Sequence, residues 1–267
     1  MKSPRLRAIA TALCALVLPG CSDAETPAPE APAASAIPRE PLGLMTSLPL
    51  YWPLGADFSE LAQGGGERPW QRALLERRFE LVPLDTLSPI PGLSPGDRET
   101  DPLAGLERLA VIQPRGLSAA DNVALDDWVR GGGELLLVLD PILSGDYDVP
   151  LGDPRRPVDT ALIPPVLKRW GLAITAELHE NRDEGIRTVA LGNGQITVVH
   201  SGTIAPVTGN SACEILAQGT LARCTIGQGR VTVLADAALF EHRDLAGERG
   251  EHQSRVLDAA FSGQDRG

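Results

Sequence analysis

Residues Gly92 to Gly96, GLSPG, have the G-x-S-x-G spacing of a nucleophile elbow, in which a serine on a sharp strand-to-helix turn attacks an acyl carbon. Two features oppose that chemistry. The oxyanion of such a site needs the backbone N–H of the residue after the serine, and that residue is Pro95, which has none. A helix must also follow, whereas Pro95, Gly96 and Asp97 continue a loop. Ser94 is expected to be a loop residue.

Two glycine runs raise the question of phosphate binding, which needs glycines after a strand and before a helix. Gly131 to Gly133 come after a helical pattern and before a strand, so they read as a turn. Gly64 to Gly66 have the right topology, but no Lys-Ser or Lys-Thr follows, so they read as a loop. The four histidines, His179, His200, His242 and His252, form neither an H-E-x-x-H nor a metal-spaced pair. Glu241-His242 and Glu251-His252 read as solvated charge. No metal and no cofactor is expected.

Asp140 and Asp236 each end an apolar run, at the strand ends where open α/β sheets bind ligands. A carboxylate there also caps the following turn, and that structural role is the favoured one. The two remain the first candidates for ligand or partner contacts. Cys213 and Cys224 fall directly opposite each other if Gln218-Gly219 is a two-residue hairpin turn. Their Cα atoms would then be about 5.5 Å apart, within disulfide reach. Their eleven-residue spacing is not the C-x-x-C of a redox pair, so the bond is expected to be structural.

The elements that must position these residues follow from apolar periodicity. Leu42 to Trp52 and Glu80 to Asp85 read as strands, with Pro83 weakening the second. Between them Trp70, Leu74, Leu75 and Phe79 have helical spacing after Pro69. Leu109 to Ile112 is a buried strand. Ser118 and Asp121 open a helix carrying Ala124, Leu125, Trp128 and Val129, with Gly131 as its left-handed cap. Glu134 to Leu139 is the next strand, and strand, helix and doubly apolar strand make a parallel βαβ unit. A short helix follows Pro164-Pro165 and stops at Gly171. Thr188 to Leu191 and Gln195 to Val199 flank a hairpin turn at Asn193-Gly194. Arg230 to Ala235 is a strand, and Val256, Leu257, Ala260 and Phe261 mark a final helix.

The first twenty residues are set apart. Lys2, Arg5 and Arg7 precede an apolar stretch, Ala8 to Leu18, too short to span a bilayer. The LPGC that follows, Leu18 to Cys21, resembles the lipobox of bacterial lipoproteins. That resemblance implies cleavage before Cys21 and lipidation of its thiol. It also implies anchoring of the chain to the membrane facing the periplasm. By the same resemblance, Ser22 after the cysteine implies the outer membrane over the inner, in bacteria that have one. Residues 21–41, rich in Pro and Ala, read as a tether reaching up to roughly 60 Å. Residues 42–262 are expected to form one α/β domain, and 263–267 a disordered tail. Formal net charge is −11, and loss of the leader's three cations takes it to about −14. That charge, and an aromatic content of 4%, argue against nucleic acid as a partner.

Leu106 to Pro141, LERLAVIQPRGLSAADNVALDDWVRGGGELLLVLDP, resembles the soluble domain of auxiliary components of ABC-type transport systems, the gliding-motility-associated ones among them. Gly227 to His242 is similar to that family's last strand segment. The resemblance implies a class I glutamine amidotransferase-like fold, a flavodoxin-like and mostly parallel sheet with helices on both faces. Here a C-terminal β-hairpin region is added. It also implies a membrane protein complex as partner. Amidotransferases place a cysteine on a strand-to-helix elbow, and neither VIQPRG nor VLDPIL has one, so the activity is not implied. The expected function is a non-catalytic subunit of a transport or envelope system. The alternative is a periplasmic small-ligand-binding protein with its site at the carboxyl ends of the strands. An enzyme ranks last, because no nucleophile, base and orienting group assemble.

Overall fold

The computed structural model describes residues 39–55, 59, 67–94, 96–176, 185–207 and 212–262. Cys21, the expected tether up to residue 38, Gly64 to Gly66, Pro95, His179 and the expected tail lie outside them. No helix among the described residues is long and apolar enough to cross a membrane.

Five runs rich in Leu, Val and Ile form parallel strands: β1 (Glu40–Thr46), β2 (Phe79–Pro83), β3 (Arg108–Ile112), β4 (Glu134–Val138) and β11 (Gly229–Leu234). Antiparallel β10 (Leu221–Ile226) and β9 (Cys213–Leu216) extend the sheet to the order β2-β1-β3-β4-β11-β10-β9. Strand alternation sends Ala110, Ile112, Leu136 and Val138 to one face. It sends Leu109, Val111, Leu135 and Leu137 to the other. Both faces are therefore buried, as parallel sheets require. On the first face lie α5 (Glu251–Phe261) and the hairpin of β6 (Ile186–Leu191) and β7 (Gly194–Val199). The second face carries α2 (Ala119–Arg130) and α3 (Pro165–Arg169). The small antiparallel pair β5 (Leu172–Thr175) and β8 (Thr203–Pro206) packs there too. The fold is α/β with a mostly parallel central sheet.

Several expectations shift on closer view. β1 starts at Glu40, within the stretch expected as tether. Helix α1 (Trp70–Leu75) ends before Phe79, which opens β2 and is fully buried. Pro83 is tolerated because β2 is an edge strand. The Ser118–Asp121 capping box forms, but Gly131 stays right-handed at φ −74° and Gly132 takes the positive φ of 121°. In the β6–β7 hairpin Leu191 pairs with Gly194, so the turn is Gly192-Asn193, with Gly192 at φ 58°.

Cys213 and Cys224 are bonded and sit opposite each other in the β9–β10 register. The turn is centred on Gln218-Gly219, with Thr220 N donating to Ala217 O at 3.1 Å. The pair is of the narrow, non-hydrogen-bonded kind, however. Thr225 N donates to Ala212 O one residue outward, and the cysteine Cα atoms are 4.0 Å apart rather than about 5.5 Å.

A candidate functional site at the carboxyl edge of the sheet

Parallel strands bring their carboxyl ends to one edge, and β4 and β11 are neighbours there. Asp140 and Asp236 follow those two strands side by side, both fully buried. Every carboxylate oxygen is taken by a backbone N–H. Asp140 accepts from Ile142 N and Ala237 N, each at 2.8 Å. Asp236 accepts from Val199 N at 2.7 Å and Ala238 N at 2.8 Å. The pair thereby staples the ends of β4, β7 and β11 together. Burial, then the Asp236 charge, pushes Asp140 well above the usual carboxylate range. Burial also raises Asp236, to about 7, against the lowering effect of its backbone hydrogen bonds.

Gln113 continues the edge at the end of β3, in the VIQPRG elbow. It is fully buried with φ 45°, a left-handed conformation that costs a non-glycine residue about 1–3 kcal/mol. Its side-chain amide explains why the conformation is held. Gln113 Oε1 accepts from Asp140 N at 2.8 Å, while Nε2 donates to the carbonyls of Asp140 and Val158, both at 3.0 Å. Ser47 Oγ, after β1, donates to Gln113 O at 2.5 Å. The residue at the elbow is thus a cross-brace between strand ends.

Beside this brace the structure assembles a group that sequence reading left apart. Ser144 Oγ lies 3.0 Å from His242 Nε2. Glu241, at the end of α4 (Ala238–Glu241), accepts from Ser144 N at 3.2 Å, Gly145 N at 3.0 Å and Tyr147 Oη at 2.6 Å. Burial, then Glu241, pushes the Tyr147 phenol up, so it stays a donor. A serine within reach of an imidazole is the beginning of a nucleophile and base. Yet Ser144 is only 9% exposed, and the two N–H groups that would hold an oxyanion already hold the Glu241 carboxylate. Among the described residues nothing orients the other imidazole nitrogen. Glu241-His242 reads in the sequence as solvated charge, whereas the structure half-buries the pair and has Glu241 accept from Ser144, Gly145 and Tyr147. Its partners in Ser144 to Tyr147 are almost a hundred residues away, and no spacing connects them.

Ser94 lies in an exposed loop, where its N–H donates to Asp97 at 2.8 Å. Gly131 to Gly133 form the turn between α2 and β4. Among the described residues no group of three or more His, Cys, Asp or Glu side chains is placed to hold a metal ion. One open cleft of about 480 Å³ lies between the segment after β1, helix α1 and the 243–250 loop. Arg68, Arg77 and Arg243 stand in its wall beside Trp70.

No family model matches the chain, and no curated protein matches it. Several solved structures are similar. An exo-beta-1,4-mannosidase from Opitutaceae bacterium strain TAV5 is 14% identical with a TM-score of 0.47, over 84% of this chain and 36% of that one. The chain thus spans about a third of that enzyme. The mmIFT52 N-terminal domain is also 14% identical with a TM-score of 0.47, over 84% of this chain and 98% of its own. A glutamine amidotransferase is 15% identical with a TM-score of 0.38, over 81% and 97% of the two chains. Likenesses of this degree assign neither an activity nor a partner.

Proposed function

We propose that this chain is a non-catalytic, membrane-anchored lipoprotein whose folded domain holds a protein partner, as an auxiliary subunit of an ABC-type transport or envelope system. The observation that carries the reading is the closed carboxyl edge. At the strand ends where α/β sheets place chemistry, the elbow residue is Gln113, used as a brace. Asp140, Asp236 and Glu241 are each engaged by donors of the same chain. The parallel strands, in the order β2-β1-β3-β4-β11, follow the 2-1-3-4-5 pattern of flavodoxin-like sheets, which favours the amidotransferase-like fold that Leu106 to Pro141 resembles. Lipidation at Cys21 would place the domain on the periplasmic side, with Ser22 favouring the outer membrane. A tether also raises effective concentration at the surface, so modest affinity suffices.

The test has two arms. Fatty-acid labelling in cells marks the wild type and not Cys21→Ala. Crosslinking in intact cells recovers a complex containing transporter subunits, and loses it when the tether is cut. Equal labelling of both forms refutes the anchor. Hydrolysis of a generic ester or amide, abolished by Ser144→Ala in folded protein, refutes the non-catalytic reading.

A second reading has one observation in its favour. Arg68, Arg77 and Arg243 in the wall of the 480 Å³ cleft, with Arg68 paired to Glu76 and with Glu67 and Glu248 beside them, offer donors to a small anionic ligand. Isothermal titration with dicarboxylates and phosphate esters against wild type and Arg243→Ala separates this reading from the first.

A further inference from the structure

A second cleft lies away from the carboxyl edge, along the outer side of α2. It is a groove of about 720 Å³ between that helix and the 88–103 excursion that joins β2 to β3. Trp128 and Ala124 line it on the helix side, with Leu103 and Pro89 opposite. Val123, in the middle of the helix and 61% exposed, completes an apolar strip where a solvent-facing helix normally carries charge.

The groove is held open by its own walls. Asp121, in the first turn of α2, accepts from Thr86 Oγ1 at 2.7 Å, Leu87 N at 2.8 Å and Ser88 N at 3.0 Å, and so fixes the start of the excursion against the helix. Ile90 and Thr100 exchange two backbone hydrogen bonds, of 2.8 and 2.9 Å, which close the excursion into a narrow loop. A cleft fixed in this way needs little ordering on binding.

Charge decides the occupant. The charged residues lining the groove are Asp101 and Asp127, both acidic and both exposed. Asp127 makes no side-chain hydrogen bond or ion pair among the described residues. The nearby cations do not compensate it, because Arg130 and Arg169 both pair with Asp126, at 3.0 and 2.8 Å. An anionic lipid surface would be repelled by this rim and by the net charge of −11. A second copy docked by two-fold symmetry would bring acidic rim against acidic rim.

We propose that this groove is a docking site for an amphipathic helix of a partner protein, with an apolar stripe that fills the groove and Lys or Arg flanks that meet Asp101 and Asp127. Ala119 to Trp128 spans ten residues, so the occupant needs about three helical turns. The alanines at 119, 120 and 124 allow its backbone to approach closely. This deepens the partner-holding reading by naming the surface and the partner's chemistry, and it does not depend on the anchor.

The experiment titrates the full chain, at about 0.15 M salt, with a Leu/Lys peptide of about fourteen residues whose leucines follow the helical period. A scrambled peptide of the same composition and a Leu/Glu counterpart are titrated alongside. Saturable one-to-one binding is expected for the periodic Leu/Lys peptide, about tenfold tighter than for the scramble, with no binding of the Leu/Glu form. Val123→Glu and Ala120→Glu, both at exposed positions, should each weaken it about tenfold with an unchanged circular dichroism spectrum. Asp127→Lys should weaken it about fivefold, and Arg243→Ala not at all. Equal affinity for the scramble, or wild-type affinity in both glutamate variants, overturns the proposal. So does a sedimentation shift showing that Val123→Glu breaks a dimer. Peptide binding without an effect of Cys21→Ala on localisation would leave the groove standing and refute the anchor, and the reverse result would do the opposite.

Discussion

Asp121 and Asp126 on α2, and Asp140 and Asp236 at the carboxyl edge, are all buried carboxylates, yet their acidities move in opposite directions. Burial opposes ionisation at all four. At Asp121 it is outweighed by hydrogen bonds from Ser118, Thr86 and backbone N–H groups, which hold the carboxyl well below its usual range. At Asp126 it is outweighed by Arg130, Trp170 and Arg169. Asp140 and Asp236 also accept a hydrogen bond at each oxygen, but both are fully buried, and the Asp236 charge adds to burial at Asp140. Counting hydrogen bonds therefore does not predict acidity. Exclusion of water and the sign of the neighbouring charge decide it.

The largest loss of stability is expected at the carboxyl edge. Asp236→Ala leaves the N–H groups of Val199 and Ala238 buried without acceptors, and should cost about 3–4 kcal/mol in urea unfolding. A cost no larger than that of Asp126→Ala would show that the edge N–H groups find other acceptors when the Asp236 carboxylate is removed.

The pH dependence is the next largest effect. Between the usual value of 3.8 and about 7 the folded state holds a proton on the buried pair that the unfolded chain releases. This contribution is therefore fully present below pH 3.8 and is lost as pH rises toward 7, by roughly 1 kcal/mol per pH unit. Asp121 and Asp126 work the other way. Their contribution is present above pH 3.8 and is lost as pH falls below it. Stability should peak near pH 4 and decline to pH 7, and urea midpoints across that range should lose their slope in the Asp140→Asn, Asp236→Asn double variant.

Asp126→Ala should cost about 2 kcal/mol. It strands the Trp170 indole N–H, which donates at 2.8 Å, and releases α3 from α2, while the two arginines return to water. Smallest is Ser118→Ala, which removes the cap and one donor to Asp121, for about 1 kcal/mol in thermal unfolding. A larger loss would mean that the excursion beside α2 depends on the cap as well as on Asp121.

The region of α2 was the more legible in sequence because its interactions are local. Ser118 and Asp121 are three residues apart, and the apolar period of Leu125 and Val129 points the helix at the sheet without outside information. The Cys213–Cys224 pair was legible for the same reason, since a turn fixes register by symmetry about its centre. At the carboxyl edge the strand ends could be placed, and Asp140 and Asp236 with them. Their turn-capping roles were legible too, since each accepts from the N–H two residues on, but their second donors were not, because Ala237 N and Val199 N arrive from 97 and 37 residues away. The left-handed backbone at Gln113 left no trace either, since nothing in glutamine's own preferences announces it. Helical spacing misplaced Phe79 because an edge strand and a helix end present the same apolar residue to the same core.

The sheet's two outer strands carry one more consequence. Open edges offer unpaired N–H and C=O groups on which another chain can add a strand. Here one border holds Pro83, which interrupts the row of donors on β2, and the other is β9, only four residues long and bonded covalently to β10. Reduction of that bond would free β9 to peel and uncover the longer β10 as a template for aggregation. The disulfide's value is thus colloidal as well as thermodynamic, and it would matter most where many copies stand close together on one surface.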